Sequence, residues 1–377
     1  MFTCLPLYHG AAQGLCITPV IHAGAAVSLC RKFSHKTFWP EAAASGANIL
    51  QYVGELCRYL INVPVHPLER RHNFKMAWGN GMRPDVWEVF RQRFSIPIIH
   101  ELYAATDGLG ATFNANRGEF TRDAIALRGS VWHYNNKGNE IRVKIDVDTE
   151  DIVRGPDGFV VKCNSGEPGE VLHRVDEIMK EAAFKGYFKN EGASGKRWIR
   201  NVFEAGDLWF RSGDVMRLDE DGRLYFVDRL GDTFRWKSEN VSTNEVSDCL
   251  GLHPQVAECN VYGVSVPHAD GRCGCAAIVM ADGTTVDRLD FAGLAQHVTT
   301  RLPRYAVPIF LRITPNLSYT GTFKVQKGQA KREGVDPDAI AKAGSKDIVY
   351  WLPPQGMSYV PFRQEDWQAL QAGRVKL

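Results

Sequence analysis

The sequence predicts an α/β protein with a layered α/β large domain followed by a small α+β C-terminal domain. Three observations support this. Over the first two hundred or so residues, short apolar runs alternate with stretches of helical periodicity, the pattern of a layered α/β fold. At Leu230, Gly231 and Asp232 that pattern breaks, and a shorter set of strands and helices follows. The chain also has 377 residues, more than the roughly 250–300 at which a single core stops growing. The expected boundaries are 1–230 for the large domain, 231–336 for the small one and 337–377 for an irregular tail.

The elements follow in order. Residues 11–30 contain no Asp, Glu, Lys or Arg, but Gln13, Thr18, Pro19, His22 and Ser28 interrupt them. They read as a buried helix, a turn at Gly24 and a buried strand rather than a membrane span. Residues 47–53 form a strand candidate leading into a helix that Pro64 and Pro67 stop. Residues 74–78 read as a strand ended by Gly79-Asn80-Gly81. Pro84 opens a helix running to Phe94, and residues 97–101 form the next strand. Residues 140–170 are β-rich, with turns at Gly155-Pro156-Asp157-Gly158 and Ser165-Gly166-Glu167-Pro168-Gly169. A hairpin over 215–227 turns at Glu220-Asp221-Gly222. Beyond the break, Ser242 and Glu245 stand at capping-box spacing before a helix. Strands over 256–264 and 276–280 and a helix over 288–300 complete the small domain, and Pro353-Pro354 marks an extended segment in the tail.

Composition excludes several classes of function. At 44% hydrophobic and 23% charged, the chain is an ordinary globular protein. A formal charge of +2, without a long Lys/Arg run, gives no basis for a nucleic-acid partner. The nine cysteines lack zinc-ligand spacing, and Cys273 and Cys275 read as small hydrophobes on one strand face. A reducing compartment follows from that usage. The N-terminus shows no signal-peptide pattern. The ending Val375-Lys376-Leu377 approximates a Ser-Lys-Leu peroxisomal address, with a chance ending as the alternative, so the expected location is cytoplasmic or peroxisomal.

The residues that carry chemistry cluster at strand ends. Gly79-Asn80-Gly81 lets backbone approach a planar ligand at the carboxyl end of a sheet; a plain turn is the structural alternative. After the next strand, Tyr103 offers an aromatic face, Thr106 a hydroxyl and Asp107 a carboxylate suited to Mg²⁺. Thr106 and Asp107 would otherwise merely cap the next segment. Asp214, ending Arg211-Ser212-Gly213-Asp214, can accept from both hydroxyls of a ribose, with Arg229 fifteen residues on. A surface ion pair is the plain alternative there.

Together with Asp228-Arg229-Leu230-Gly231-Asp232 and Thr320-Gly321-Thr322-Phe323-Lys324, these motifs resemble the adenylate-forming superfamily. Within it, the chain resembles the fatty acid transport protein/very long-chain acyl-CoA synthetase branch. The resemblance runs from about Thr3 to Asp336. It implies ATP, Mg²⁺ and CoA as ligands, and a fatty acid or other lipophilic carboxylic acid as substrate, with peripheral membrane contact. It assigns Gly79, Asn80, Gly81, Tyr103, Thr106, Asp214 and Arg229 to nucleotide binding, and Asp107 to the metal. Lys324 becomes the mobile lysine of adenylation, on a small domain that acts as a lid. Gly231 and Asp232 become its hinge, and Ser238 lines the CoA channel. His9, in Leu5-Pro6-Leu7-Tyr8-His9, takes a supporting, gating role. Two positions depart from the family pattern: Asp107 stands for Glu, and Ser238 for Gly.

The Ser/Thr/Gly-rich loop that holds the β- and γ-phosphates in this superfamily is not in the chain, and Gly192-Ala193-Ser194-Gly195-Lys196 lacks Walker spacing. The large domain is therefore expected to be incomplete and the protein an N-terminally truncated acyl-CoA synthetase, with residues 1–377 alone giving negligible acyl-CoA synthesis. Two rival readings stand beside this one. The first is a non-catalytic relative that binds acyl chains or nucleotide. The second is an adenylating CoA ligase for another lipophilic acid of secondary metabolism.

Overall fold

A computed structural model describes residues 1–105, 108–136, 138–146, 149, 151–237, 239–269, 271–319 and 325–377. Two compact units divide the chain: Met1–Cys57 with Val65–Leu230, and Arg58–Pro64 with Gly231–Leu377.

The first unit opens with a six-stranded sheet in the order β2-β1-β3-β4-β5-β6. Its strands are β1 (Phe2–Thr3), β2 (Ser28–Leu29), β3 (Ile49–Val53), β4 (Met76–Asn80), β5 (Ile98–Ala104) and β6 (Ala111–Asn114). The first five are parallel, and β6 returns antiparallel to β5. Helix Pro84–Phe94 connects β4 to β5. Pro84 supplies a preset φ where no N–H is needed, and Val86, Trp87, Phe90 and Phe94 form its buried stripe. Helix Gly54–Asn62 follows β3 directly. The segment after Gly24 differs from expectation. β2 is a two-residue strand at the edge of the sheet, paired on one side to β1, and its Leu29 is 49% exposed rather than buried. Among the described residues, no helix is long and apolar enough to cross a membrane.

The remainder of this unit is an antiparallel sheet: β7 (Ala126–Leu127), β8 (Glu140–Val143), β9 (Pro168–Arg174), β10 (Trp198–Arg200), β11 (Leu208–Leu218) and β12 (Arg223–Arg229). The order is β7-β12-β11-β9-β8, with β10 also paired to β11. The hairpin turns at the Asp221-Gly222 pair, where Gly222 takes φ +79°. β11 begins seven residues before the expected hairpin, since Leu208, Trp209 and Phe210 extend its buried run.

The second unit holds the pair β13 (Phe234–Trp236) and β14 (Glu239–Val241), and a five-stranded sheet. That sheet runs in sequence order: β15 (Val256–Val264), β16 (Cys273–Met280), β17 (Phe310–Ile313), β18 (Ile348–Trp351) and β19 (Val360–Pro361). Ser242 caps helix Thr243–Gly251, accepting from the Glu245 N–H at 3.3 Å. Helix Phe291–Arg301 packs Leu294, Ala295 and Val298 into the core.

The tail over 337–377 is not irregular. Ile348, Val349, Tyr350 and Trp351 are β-branched or aromatic and pair antiparallel with β17. Pro353-Pro354 falls in the connection between β18 and β19, where it breaks no ladder. Phe362 packs edge-on against Phe310 and Trp351, the buried Tyr359 hydroxyl donates to the Pro308 carbonyl at 2.7 Å, and helix Gln364–Gln371 closes the chain.

Candidate functional site

Two features of the first unit build the site. One is the carboxyl end of the parallel sheet. β4 ends in Gly79-Asn80 and β5 carries Glu101 and Tyr103, two residues apart and so on one face. A Cβ on Gly79 would lie 2.1 Å from the Tyr52 carbonyl oxygen, so only glycine lets β3 and β4 approach this closely. The Glu101 carboxylate, 2% exposed, accepts from the Gly81 N–H, from the Met82 N–H at 3.2–3.3 Å and from the Tyr52 hydroxyl. Burial pushes this carboxyl up to about 8 against the pull of those donors.

The other feature is a bulge in β11. Pairing with β9 shifts register between Arg211 and Val215, and pairing with β12 shifts between Val215 and Met216. Gly213 sits in the bulge at φ +71°. Its N–H donates to Glu170 at 3.0 Å, and its carbonyl accepts from the Leu230 N–H at 2.9 Å. Glu170 is fully buried and takes the Arg211 guanidinium through Nε at 3.0 Å and Nη2 at 2.8 Å. Arg197 donates to the Ser212 carbonyl at 2.9 Å, and the Ser212 hydroxyl accepts from the Asp214 N–H at 3.1 Å.

This bulge aims Asp214 toward β5. The residue is 4% exposed, its carboxylate accepts from the Tyr103 hydroxyl, and Arg229 Nε lies 3.4 Å from its other oxygen. Burial, and then the Asp214 charge, push the Tyr103 phenol far up. The Arg229 side chain is half exposed, at 53%. An anchored aromatic ring, an acceptor-only carboxylate with further lone pairs and a solvent-facing guanidinium that donates form a set of contacts suited to a nucleoside monophosphate.

A family pattern described as AMP-binding enzyme matches residues 1–188, and one described as AMP-binding enzyme C-terminal domain matches 245–324. The chain belongs to the AMP-binding enzyme family. It is 57% identical over 379 residues to the very long-chain fatty acid transport protein of Cochliobolus heterostrophus, which covers 100% of this chain and 58% of that protein. Isopenicillin N epimerase component 1 of Hapsidospora chrysogena is 41% identical over 376 residues, covering 98% and 61%. The chain thus spans 58–61% of the length of these relatives. The crystal structure of the anthranilate CoA ligase AuaEII in complex with anthranoyl-AMP shares the fold, with a TM-score of 0.69 at 17% identity over 88% of this chain and 59% of that one.

Within this family member, the structure brings Tyr103, Asp214 and Arg229 into one cluster and sets Gly79, Asn80 and Gly81 at the neighbouring strand end. His9 serves as a helix cap, its Nδ1 accepting from the Ala11 N–H at 3.2 Å. Gly231 takes φ +83°, and Asp232 is held by Lys327 at 3.2 Å and Lys331 at 3.4 Å, all within the second unit. Thr106, Asp107, Ser238 and Lys324 lie outside the described residues. Sequence reasoning assigned no role to Glu101 or Glu170. Both are charged residues buried among apolar strand neighbours, Ile99 and Leu102 for one and Val171 and Leu172 for the other, a signal open to sequence reading.

Proposed function

We propose that this family member takes part in ATP-dependent acyl-CoA synthesis. In the first half-reaction a carboxylate oxygen attacks the α-phosphorus of ATP, forming acyl-AMP and releasing pyrophosphate. In the second the CoA sulfur attacks the acyl carbon, forming the thioester and releasing AMP. The observation that carries this reading is the Asp214 cradle: a buried carboxylate, fixed by a strand bulge and bonded to Tyr103, beside a solvent-facing Arg229. Asp214 would accept from the ribose hydroxyls, the Tyr103 ring would face the base across from Gly79, Asn80 and Gly81, and Arg229 would meet the ribose or phosphate. By resemblance, Thr106 donates to the α-phosphate and Lys324 brings a positive charge to the reacting oxygens. Mg²⁺, when bound through Asp107, supplies charge neutralisation at the phosphates.

The acyl substrate in this reading is a long- or very long-chain fatty acid, supported by similarity to the fungal very long-chain fatty acid transport protein. The second reading, an adenylating ligase of secondary metabolism, is supported by the similarity to isopenicillin N epimerase component 1. Leu230, Gly231 and Asp232 are the proposed hinge of the lid domain, and limited proteolysis should cut there first.

The test is titration calorimetry of the 377-residue chain with AMP. Asp214→Ala should weaken binding by about 1.5–3 kcal/mol, the cost of losing charge-assisted hydrogen bonds to the ribose. Equal affinities would remove Asp214 from the site. Calorimetry of the same chain with a long-chain acyl-AMP against the adenylate of isopenicillin N then separates the two substrate readings.

A further inference from the structure

The turn over 79–82 has an internal anchor. The Gly81 and Met82 N–H groups both point inward at Glu101, an arrangement of successive backbone amides that ordinarily collects an anion. Here the anion comes from the neighbouring strand. Tyr52, on β3, donates to the same carboxylate, so one side chain ties together the carboxyl ends of β3, β4 and β5. The space is closed on the far side as well, since a Cβ on Gly54 would lie 1.6 Å from the Gly81 carbonyl oxygen. In a planar peptide the Asn80 carbonyl runs antiparallel to the Gly81 N–H, so fixing that N–H also fixes the carbonyl, facing away from Glu101.

We propose that Glu101 is a positioning residue that holds the 79–82 turn in its nucleotide-binding conformation and so sets the affinity for adenine nucleotides. This rests on the reading of the turn as part of the AMP site.

The network accommodates both protonation states of the carboxyl. The Tyr52 hydroxyl lies within reach of Glu101 and also 3.1 Å from the His100 carbonyl oxygen. With Glu101 ionised, Tyr52 donates to it. With Glu101 protonated, the carboxyl can donate to the Tyr52 oxygen while Tyr52 donates to His100. The ionised form is the better acceptor for the two amides, so the turn tightens as the proton leaves. The other titratable groups facing it are Tyr52 on β3 and Cys57 on helix Gly54–Asn62, both pushed well up by burial and by Glu101 and so neutral through this range. The stretch of β4 and its turn that faces Glu101 contributes Asn80, Gly81 and Met82, none of them titratable.

Two readouts test this on the 377-residue chain. At pH 9, amide hydrogen exchange should be faster at Gly81 and Met82 in Glu101→Gln than in the parent, with core protection elsewhere unchanged. AMP affinity of the parent should rise between pH 7 and pH 9. At pH 9, where the parent carboxyl is ionised, Glu101→Gln should bind AMP roughly tenfold more weakly, the loss of about one hydrogen bond to a charged group, and it should show no such rise. Tyr52→Phe, which removes one donor and keeps the volume, should move the inflection to higher pH. Unchanged exchange at both amides in Glu101→Gln would overturn the anchor. Parent-like AMP affinity and pH profile in that variant would overturn its role in nucleotide binding. A parent that binds no AMP would sink the reading of the site instead, leaving the exchange rates to decide the anchor alone.

Discussion

The sheet end at Gly81 and the strand bulge at Gly213 share a plan. In each, a buried glutamate accepts the N–H of a glycine with φ above +70°. They differ in what else faces the carboxylate. Glu170 meets the Arg211 guanidinium through two nitrogens, whereas among the described residues Glu101 meets neutral donors, two amides and a phenol. The bulge therefore holds a full ion pair and is built for rigidity. The sheet end holds a carboxyl whose ionisation burial has moved into the range of ordinary pH change. A backbone turn can be fixed either way, but only the second way makes its stiffness depend on a proton.

The largest expected break in this comparison comes from Arg211→Ala. It leaves Glu170 buried without its cation, which should destabilise the first unit by about 3–5 kcal/mol in urea denaturation. A loss under about 1 kcal/mol would mean that the neutral donors suffice at both places. The pH dependence of stability sharpens the contrast. The Glu101 carboxyl rises from an ordinary 4.5 to about 8 on folding, so the folded state keeps a proton that the unfolded chain releases. Its contribution is full below about pH 4.5 and is lost as pH rises to about 8, with a slope of at most about 1.4 kcal/mol per pH unit. Urea melts of Glu101→Gln should lack that slope, and a slope identical to the parent's would place the titration elsewhere. The smallest effects are expected at the glycines. Gly81→Ala adds a Cβ with only a 3.9 Å neighbour and should cost about 1–2 kcal/mol in left-handed strain. Gly213→Ala adds to that strain a 2.9 Å approach to Arg197 Nη1, and it should prove the worse of the two by thermal melting.

Much of the fold was legible in the sequence. Helix Pro84–Phe94 and the capped helix after Ser242 begin where proline and serine place them, and the turn at Glu220-Asp221-Gly222 announces β11 and β12. The tail is less legible, because the Pro353-Pro354 pair interrupts only a connection and leaves the four-residue run before it free to pair with β17. At the site, residue types and order pointed to Tyr103 and Asp214, which meet across 111 residues. The supports beneath them were not legible. A register shift in β11 and the convergence of three strand ends on Glu101 exist only once distant segments are laid side by side.

The order of the small sheet bears on how this protein can be cut for expression. The recognisable C-terminal domain pattern ends at residue 324, yet β17 is paired on one side by β16 and on the other by β18, some thirty-five residues later. A boundary drawn at the end of that pattern would strip Phe310 of Phe362 and Arg312 of Glu333 and Asp347, and leave β17 as a bare edge. Such a fragment would expose a template for strand-to-strand aggregation, so soluble material calls for a boundary beyond helix Gln364–Gln371.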